Sequence, residues 1–210
     1  MLRSLHIAWV LALLLIPALS ARGQEQEDKT LCGWEFVELN HDFGKSPFFG
    51  SFYFEHDNYH YRRFDNWYTR TIVGVKILPW LKAGVGYDFV RGADYLTHNA
   101  MLDVIGTLKQ ENLTVSIRER LVHSWTPALG TQGSILRSRL KVQYAIPDTR
   151  WSPYLAMEMF SWDGWKRVRN YVACNYNINE KVQLEGYYIY YIFNGAPDRH
   201  VIGLGVNFYL

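Results

Sequence analysis

The stretch LKAGVGYDF, residues 81–89, carries the alternation that decides the fold. Its odd positions hold Leu, Ala, Val, Tyr and Phe, whereas its even positions hold Lys, two Gly and Asp. Successive side chains of a β-strand point to opposite faces, so this strand has one apolar and one polar face. Residues 136–146 repeat the pattern, with a mostly apolar even-numbered face opposite Arg137, Arg139, Lys141 and Gln143. Such two-faced strands predict a wall between water and lipid.

Similar segments occupy most of the chain. Aromatic residues make up 16% of the sequence, which favours strands over helices. Each segment has about 9–12 residues, close to the ~9–11 that a tilted strand needs to cross a bilayer, whereas strands of soluble proteins are typically ~5–6 residues long. Repeated alternation at this length is typical of a transmembrane β-barrel. The predicted strands cover residues 48–57, 66–77, 81–91, 97–108, 113–124, 135–146, 153–161, 166–177, 182–193 and 200–210.

The number of strands depends on residues 31–43. Gly33 to Asn40 also alternates, and with it the count would be eleven. Bacterial single-chain barrels have even numbers of strands. We therefore predict an all-β, antiparallel transmembrane barrel of about ten strands, with twelve as the alternative. Residues 31–43 would then be a plug, a periplasmic strand, or part of a twelve-stranded wall. Short turns and longer links are expected to alternate along the chain.

The last strand resembles the signal that outer-membrane barrels present to the insertion machinery. Its apolar face ends in Leu204, Val206, Phe208 and Leu210. Outer-membrane proteins usually end in an aromatic residue, whereas here Phe208 lies two residues before the end. These four residues are the predicted insertion signal. The predicted partners are outer-membrane lipid, the barrel-insertion machinery and periplasmic chaperones.

The first 23 residues predict export. Arg3 precedes an apolar run from Ile7 to Leu19, and small residues follow up to Gly23. This order is typical of a secretory signal peptide, and the run is shorter than the ~20 residues of a spanning helix. Cleavage is expected before Gln24, with Ala21 as the alternative, which leaves one domain over residues 24–210. Without its two arginines the mature chain has 20 basic and 20 acidic residues, a balance that argues against a nucleic-acid partner.

If the apolar face meets lipid, the other face lines the lumen. In one interpretation its arginines and carboxylates pair and fill a barrel too narrow to stay empty. In another, the arginines outnumber the acids and form a narrow pore or binding barrel for small polar or anionic solutes. The oligomeric state stays open. The predicted charged lumen residues are Arg70, Asp88, Asp103, Arg118, Arg120, Arg137, Arg139, Glu158, Arg167, Arg169 and Glu185.

No catalytic residue, metal ligand or cofactor is predicted. His123 and Ser124 are adjacent on a strand, so their side chains point to opposite faces and cannot form a dyad. A lipid-modifying enzyme remains a further alternative, which requires Ser and His to converge near the outer rim. Cys32 and Cys174 could form one disulfide in the periplasm, although Cys174 has the apolar parity of its strand.

The order of several short motifs resembles a known family. They are the Trp34 strand, Gly86-Tyr87, Arg118-x-Arg120, Arg137-x-Arg139, Glu158 before an aromatic residue, Arg167-x-Arg169 and the closing apolar strand. Together they resemble the bacterial domain-of-unknown-function family 2490, outer-membrane barrels common in Bacteroidetes. Asp88 stands where the family pattern has Arg. The resemblance implies an outer-membrane barrel and implies neither a reaction nor a substrate.

Overall fold

The computed structural model describes residues 30–59, 63–162 and 164–210. The predicted signal peptide, residues 1–23, lies outside this part. Within it the chain forms a closed barrel of eleven strands and one short 3-10 turn, Pro127–Leu129. The strands are β1 (Thr30–Asp42), β2 (Phe48–Tyr59), β3 (Arg63–Leu78), β4 (Leu81–Gly92), β5 (Leu96–Gln110), β6 (Leu113–Thr126), β7 (Thr131–Tyr144), β8 (Trp151–Ser161), β9 (Trp165–Asn177), β10 (Val182–Phe193) and β11 (Arg199–Tyr209).

The ten predicted strands are confirmed as β2 to β11. Several of them extend into the segments expected to be long links, so the hairpins are short at both ends of the barrel. The expected contrast between short turns and long loops is therefore wrong. We call the end where β11 finishes the C-terminal rim; it carries residues 43–47, 79–80, 111–112, 145–150 and 178–181. The end where β11 begins is the opposite rim.

The predicted count of ten or twelve strands is wrong, and so is the placement of residues 31–43 as a plug or periplasmic strand. These residues belong to β1, which pairs with β2 in antiparallel orientation. β1 also pairs with β11 in parallel orientation, from Leu31 beside His200 to Asn40 beside Tyr209. Every other neighbouring pair of the described strands is antiparallel. One parallel pair lets an odd number of strands close, and closure leaves no strand edge unpaired.

The two faces of the wall differ as the alternation indicated. Val201, Gly203, Gly205 and Asn207 of β11 are buried on the inner face. The predicted insertion signal, Leu204, Val206, Phe208 and Leu210, lies on the outer face, where Leu204 and Leu210 are 67% and 66% exposed. Along β4, the ten steps from Leu81 to Arg91 rise roughly 25 Å at ~3.3 Å per residue and a tilt of ~40°. That height matches the apolar band of outer-membrane barrels, which is about 25 Å tall.

Two glycines on the inner face of β11 make room for large rings. A Cβ atom on Gly203 would overlap the Tyr187 ring, and one on Gly205 would overlap the Phe36 ring. The two rings belong to an aromatic and aliphatic cluster inside the wall formed by β1 and β8 to β11. This part of the barrel interior is therefore packed like a protein core.

No helix of the described residues is long and apolar enough to cross a membrane.

Candidate functional site in the barrel interior

A cavity of about 660 Å³ runs along the inside of the barrel. Its lining includes Asn40 and Tyr209 near the C-terminal rim, and Asp65 and Arg199 near the opposite rim. It therefore reaches from one rim towards the other. The interior is narrow, and side chains occupy only part of it.

Strand register brings arginines from three strands around one carboxylate. Arg118 of β6 lies beside Arg139 of β7, Arg139 beside Glu158 of β8, and Glu158 beside Arg169 of β9. Because directly opposite residues share a face, all four side chains point into the barrel. A second row adds further basic residues, since Arg137 and Arg167 both lie beside Phe160. We call Arg118, Arg137, Arg139, Arg167 and Arg169 the arginine cluster.

Glu158 is the centre of this cluster and is 1% exposed. Its carboxylate accepts a hydrogen bond from Nη2 of Arg118 at 2.5 Å and from Nη2 of Arg137 at 3.1 Å. Nη1 of Arg169 lies 3.7 Å from the other oxygen. The two charge-assisted hydrogen bonds hold the guanidinium groups of Arg118 and Arg137 in fixed positions, and the ion pair keeps Arg169 close to them. The register of β6 to β9 therefore builds a rigid cationic surface.

The arginine cluster has more positive charge than its single central carboxylate neutralises. No carboxylate of the described residues lies within ion-pair distance of Arg139 or Arg167. The Nε atoms of Arg118, Arg167 and Arg169 are buried and have no hydrogen-bond partner among the described residues. Five guanidinium groups around Glu158 leave a local excess of four positive charges, which can attract an anion.

Aromatic rings hold the guanidinium groups in place. The Arg167 guanidinium lies 4.4 Å from the centre of the Phe160 ring. The Arg169 guanidinium lies 4.8 Å from the Trp34 ring and 4.6 Å from the Tyr191 ring. Cation–π contacts of this kind are attractive and restrict the long side chain. They leave the arginine cluster preorganised along the cavity wall.

The remaining carboxylates of the cavity lie on other strands. Asp88 accepts a hydrogen bond from the Tyr68 hydroxyl at 2.8 Å, and Glu185 accepts one from the Tyr154 hydroxyl at 2.6 Å. Positive charge is thus concentrated on β6 to β9, whereas the rest of the cavity wall carries six carboxylates and two arginines, Arg70 and Arg199. The cavity-lining carboxylates outside the arginine cluster are Glu38, Glu55, Asp57, Asp65, Asp88 and Glu185.

Arg120 and Asp103 form a separate, closed pair. Nε and Nη2 of Arg120 donate to the two carboxylate oxygens of Asp103, each at 2.6 Å. The two residues are directly opposite on β6 and β5 and are 1% and 2% exposed. Neither lines the cavity. Their bidentate contact stabilises the wall and neutralises both charges.

The structure places the eleven predicted lumen residues on the inner face. Nine of them line the cavity, and Asp103 and Arg120 lie behind it as the closed pair. Sequence reasoning missed the aromatic residues Trp34, Phe160 and Tyr191. A signal was present for two of them, because Phe160 has the parity of Glu158, and Tyr191 has that of Glu185.

The residues considered for catalysis lie on both faces of the wall. Ser124 is inside and donates a hydrogen bond to Asn99. His123 is outside, and its Nδ1 lies 3.0 Å from Oγ of Ser134 on β7. No described carboxylate is hydrogen-bonded to His123. Within the same residues, no group of three or more His, Cys, Asp or Glu could hold a metal ion.

The two cysteines lie on opposite faces of the wall. Cys32 is buried in the inner cluster of β1, whereas Cys174 is on the outer face of β9. Two strands, β11 and β10, also separate β1 from β9. With about 4.8 Å between neighbouring strands, the two Cα atoms lie beyond the roughly 7 Å that a disulfide tolerates, so the fold rules out a bond between them.

A closed barrel around a charged cavity is a porin-like architecture, and solved porins are similar to this chain. The NanC porin in a rhombohedral crystal form has a TM-score of 0.55 and 13% identity, and the match covers 85% of this chain and 98% of that one. The KdgM porin has a TM-score of 0.50 and 10% identity, with 73% and 81% covered. The KdgM porin in complex with disordered oligogalacturonate has the same TM-score and coverage, at 12% identity. At these identities the likeness concerns the fold, which is a porin-like β-barrel.

The chain belongs to the family described as "Protein of unknown function (DUF2490)", whose profile matches residues 33–201. The resemblance drawn from the sequence motifs is thereby confirmed. None of the curated proteins matches this chain.

Proposed function

We propose that this protein is a narrow outer-membrane pore for small anionic solutes. The observation that carries the proposal is the arginine cluster, which lines a cavity that reaches towards both rims. A filled lumen would confine the arginines to structural ion pairs, whereas Arg139 and Arg167 line the cavity with no described carboxylate in ion-pair distance.

Placement in the membrane follows from the wall and the termini. Strands of 11 to 16 residues with an apolar outer face are long enough to cross a bilayer. Export would depend on the signal peptide, residues 1–23, with cleavage before Gln24. The outer face of Leu204 to Leu210 would engage the insertion machinery after periplasmic chaperones deliver the chain. The C-terminal rim would then face the periplasm.

Electrostatics favour an anion over a cation beside Arg139 and Arg167. A unit anion about 5 Å from a guanidinium without a counter-ion gains about 1 kcal/mol in water and about 3 kcal/mol at an effective dielectric constant of ~20. This range corresponds to a roughly fivefold to 150-fold preference for the anion over an uncharged solute at that position. It is strong enough to select anions and weak enough to release them, as conduction requires.

One similar porin supports the chemical class of the solute. The KdgM porin is solved in complex with disordered oligogalacturonate. We extend only the class, a solute that bears carboxylates, to this chain.

The test is solute uptake by proteoliposomes, followed as swelling in isotonic solutions of glucuronate and of glucose. These two sugars have nearly the same size and differ in charge. We expect glucuronate to enter several times faster than glucose. In the variant Arg139→Gln/Arg167→Gln, the rate for glucuronate should fall towards that for glucose, and the glucose rate should persist. The control Lys181→Gln removes a positive charge from an exposed turn of the C-terminal rim. It should keep the preference for glucuronate over glucose. Vesicles that swell with neither solute would favour the filled-lumen scaffold.

A second candidate, hydrolysis of lipid esters, is favoured by the contact between His123 and Ser134 on the outer wall. A serine nucleophile needs a base within hydrogen-bond reach, and this pair meets that condition. It also needs a group that orients the base, and the described residues supply no carboxylate for His123. Hydrolysis of a fluorescent phospholipid that is lost in Ser134→Ala would establish the enzyme. An equal, negligible rate in both proteins would exclude it.

A further inference from the structure

A second cluster of titratable residues lies outside the cavity. Of the five histidines in the described part of the chain, four face outward close to the opposite rim. Each lies within four residues of the end of its strand at that rim. We call these four residues the histidine belt: His56 of β2, His98 of β5, His123 of β6 and His200 of β11.

Aromatic side chains accompany the belt. The His98 ring stacks on the Trp125 ring at 5.4 Å between centres, and its Nδ1 lies 2.5 Å from the Tyr87 hydroxyl. The His200 ring stacks on the Tyr190 ring at 5.3 Å, and its Nδ1 lies 2.5 Å from the Tyr188 hydroxyl. Trp and Tyr concentrate at the level of the lipid headgroups in membrane proteins. These contacts therefore place the imidazoles at headgroup depth, on the proposal that the barrel spans a membrane.

The other two histidines have similar surroundings. The His56 ring stacks on the Phe64 ring at 5.8 Å, and its Nδ1 lies 3.1 Å from Glu35. His123 lies 6.3 Å from the Trp125 ring and contacts Ser134. Glu119, further from the rim on the same face of β6, accepts a hydrogen bond from Ser138 at 2.6 Å. Glu35 thus places a carboxylate in direct contact with His56.

The fixed charges near the belt almost cancel. Outward-facing or loop residues at this rim contribute two positive charges, from Arg91 and Lys166, and two negative charges, from Asp94 and Asp198. The Tyr190 hydroxyl, beside His200, donates to Asp198 at 2.6 Å. With Glu35 included, the described charges sum to about −1 when the imidazoles are neutral. Four protonated imidazoles would bring the sum to about +3. Imidazole is the side chain whose ordinary titration lies between pH 5 and 8.

We propose that the histidine belt is a pH-dependent binding surface for the phosphate groups of anionic lipid headgroups. The proposal rests on the membrane placement given above and is independent of what passes through the lumen. Protonated imidazoles of His56, His98 and His123 at headgroup depth would present N–H groups that phosphate oxygens can accept. Nε2 of His200 is buried, so a protonated His200 would contribute its charge rather than a direct hydrogen bond. Each basic group near an anionic surface strengthens attachment on the order of fivefold. Near neutral pH the belt retains its aromatic contacts and loses its preference for anionic lipid.

The experiment measures quenching of tryptophan fluorescence by brominated lipids. Protein is reconstituted in mixtures of phosphatidylcholine and phosphatidylglycerol, with bromine on the acyl chains of one lipid at a time, at pH 7.5 and at pH 5.5. The ratio of quenching gives the relative binding constant of the anionic lipid. We expect this constant to rise at least fivefold between pH 7.5 and pH 5.5 in the wild-type protein.

Three variants separate charge from packing. In His56→Gln/His98→Gln/His123→Gln/His200→Gln the rise should disappear, whereas the corresponding quadruple Lys variant should prefer phosphatidylglycerol at both pH values. His41→Gln, at the C-terminal rim, should behave like the wild-type protein. An undiminished rise in the Gln variant, or no preference in the Lys variant, would overturn the proposal. Failure of the protein to enter vesicles of either lipid would instead refute the membrane placement, and would be recognised without any comparison of pH.

Discussion

Replacing Glu158 by Gln should destabilise the barrel by about 3–5 kcal/mol, because it removes the one carboxylate at the centre of the arginine cluster. Arg118, Arg137 and Arg169 lie 2.5, 3.1 and 3.7 Å from its oxygens. Gln has nearly the same shape and still accepts hydrogen bonds. The change therefore tests charge rather than packing.

The magnitude follows from the spacing of the charges. Two unit charges about 5 Å apart interact by about 3 kcal/mol at an effective dielectric constant of ~20, so three guanidinium groups give a gross attraction of about 10 kcal/mol. Water in the adjoining cavity screens part of this attraction, and the variant no longer has to desolvate a carboxylate. Loss of one partner from a buried ion pair typically leaves a net cost of about 3–5 kcal/mol.

The assay is urea unfolding of the protein in lipid vesicles, followed by the shift in gel mobility between folded and unfolded barrels. Glu185→Gln is the matched control. Glu185 also lines the cavity and accepts hydrogen bonds from Tyr154 and Asn207, but none of the arginines in the described ranges forms an ion pair with it. It should lose no more than about 1 kcal/mol. Equal stabilities for the Glu158→Gln variant and the wild-type protein would refute the electrostatic account of the cluster.

Three further outcomes are expected. Asp103→Ala and Arg120→Ala should each cost about 3–5 kcal/mol of unfolding free energy in the same assay. The double variant Asp103→Leu/Arg120→Met should recover most of the loss, because it leaves no buried charge unpaired. A double variant as unstable as the single ones would contradict this. Gly205→Ala should cost about 1–3 kcal/mol through overlap with the Phe36 ring, while Gly106→Ala, whose Cβ meets open space, should change stability by less than about 0.5 kcal/mol; equal losses would argue against the aromatic packing. Intact mass of the protein isolated from membranes should correspond to a chain that begins at Gln24, and retention of Met1 to Gly23 would disprove the signal peptide.

Ten strands could be predicted because each has a full run of alternating residues, and in all but the last of them the polar side carries a charged residue. Arg137 and Arg139 opposite Leu136 and Leu140 leave little choice of which face meets water. The ends of the strands were less accurate. Residues 125–134, for instance, were predicted as a long link but form the end of β6, a tight turn and the start of β7. The sequence does not reveal this pairing, because a segment rich in Thr, Gly and Gln has no alternating apolar side.

β1 was misplaced for a different reason. Its alternation was visible, but the parallel contact with β11 joins residues about 170 positions apart, and no hairpin marks it. The expectation of an even number of strands therefore led us to leave residues 31–43 out of the strand count despite their alternation. The charged residues of the site were predicted from the sequence, whereas the aromatic residues that contact them were missed. Parity identifies the face of Phe160 but does not say that a phenylalanine will lie against Arg167 inside a polar lumen. Those contacts depend on the register of four strands.

The most direct test of the central claim is the single-channel current of the refolded protein in planar bilayers under a gradient of potassium chloride. An anion pore lined by the arginine cluster predicts reproducible steps of small conductance, with a reversal potential on the side that marks chloride as the more permeant ion. A protein that inserts into the bilayer but carries no current, or that passes potassium in preference to chloride, would contradict the account.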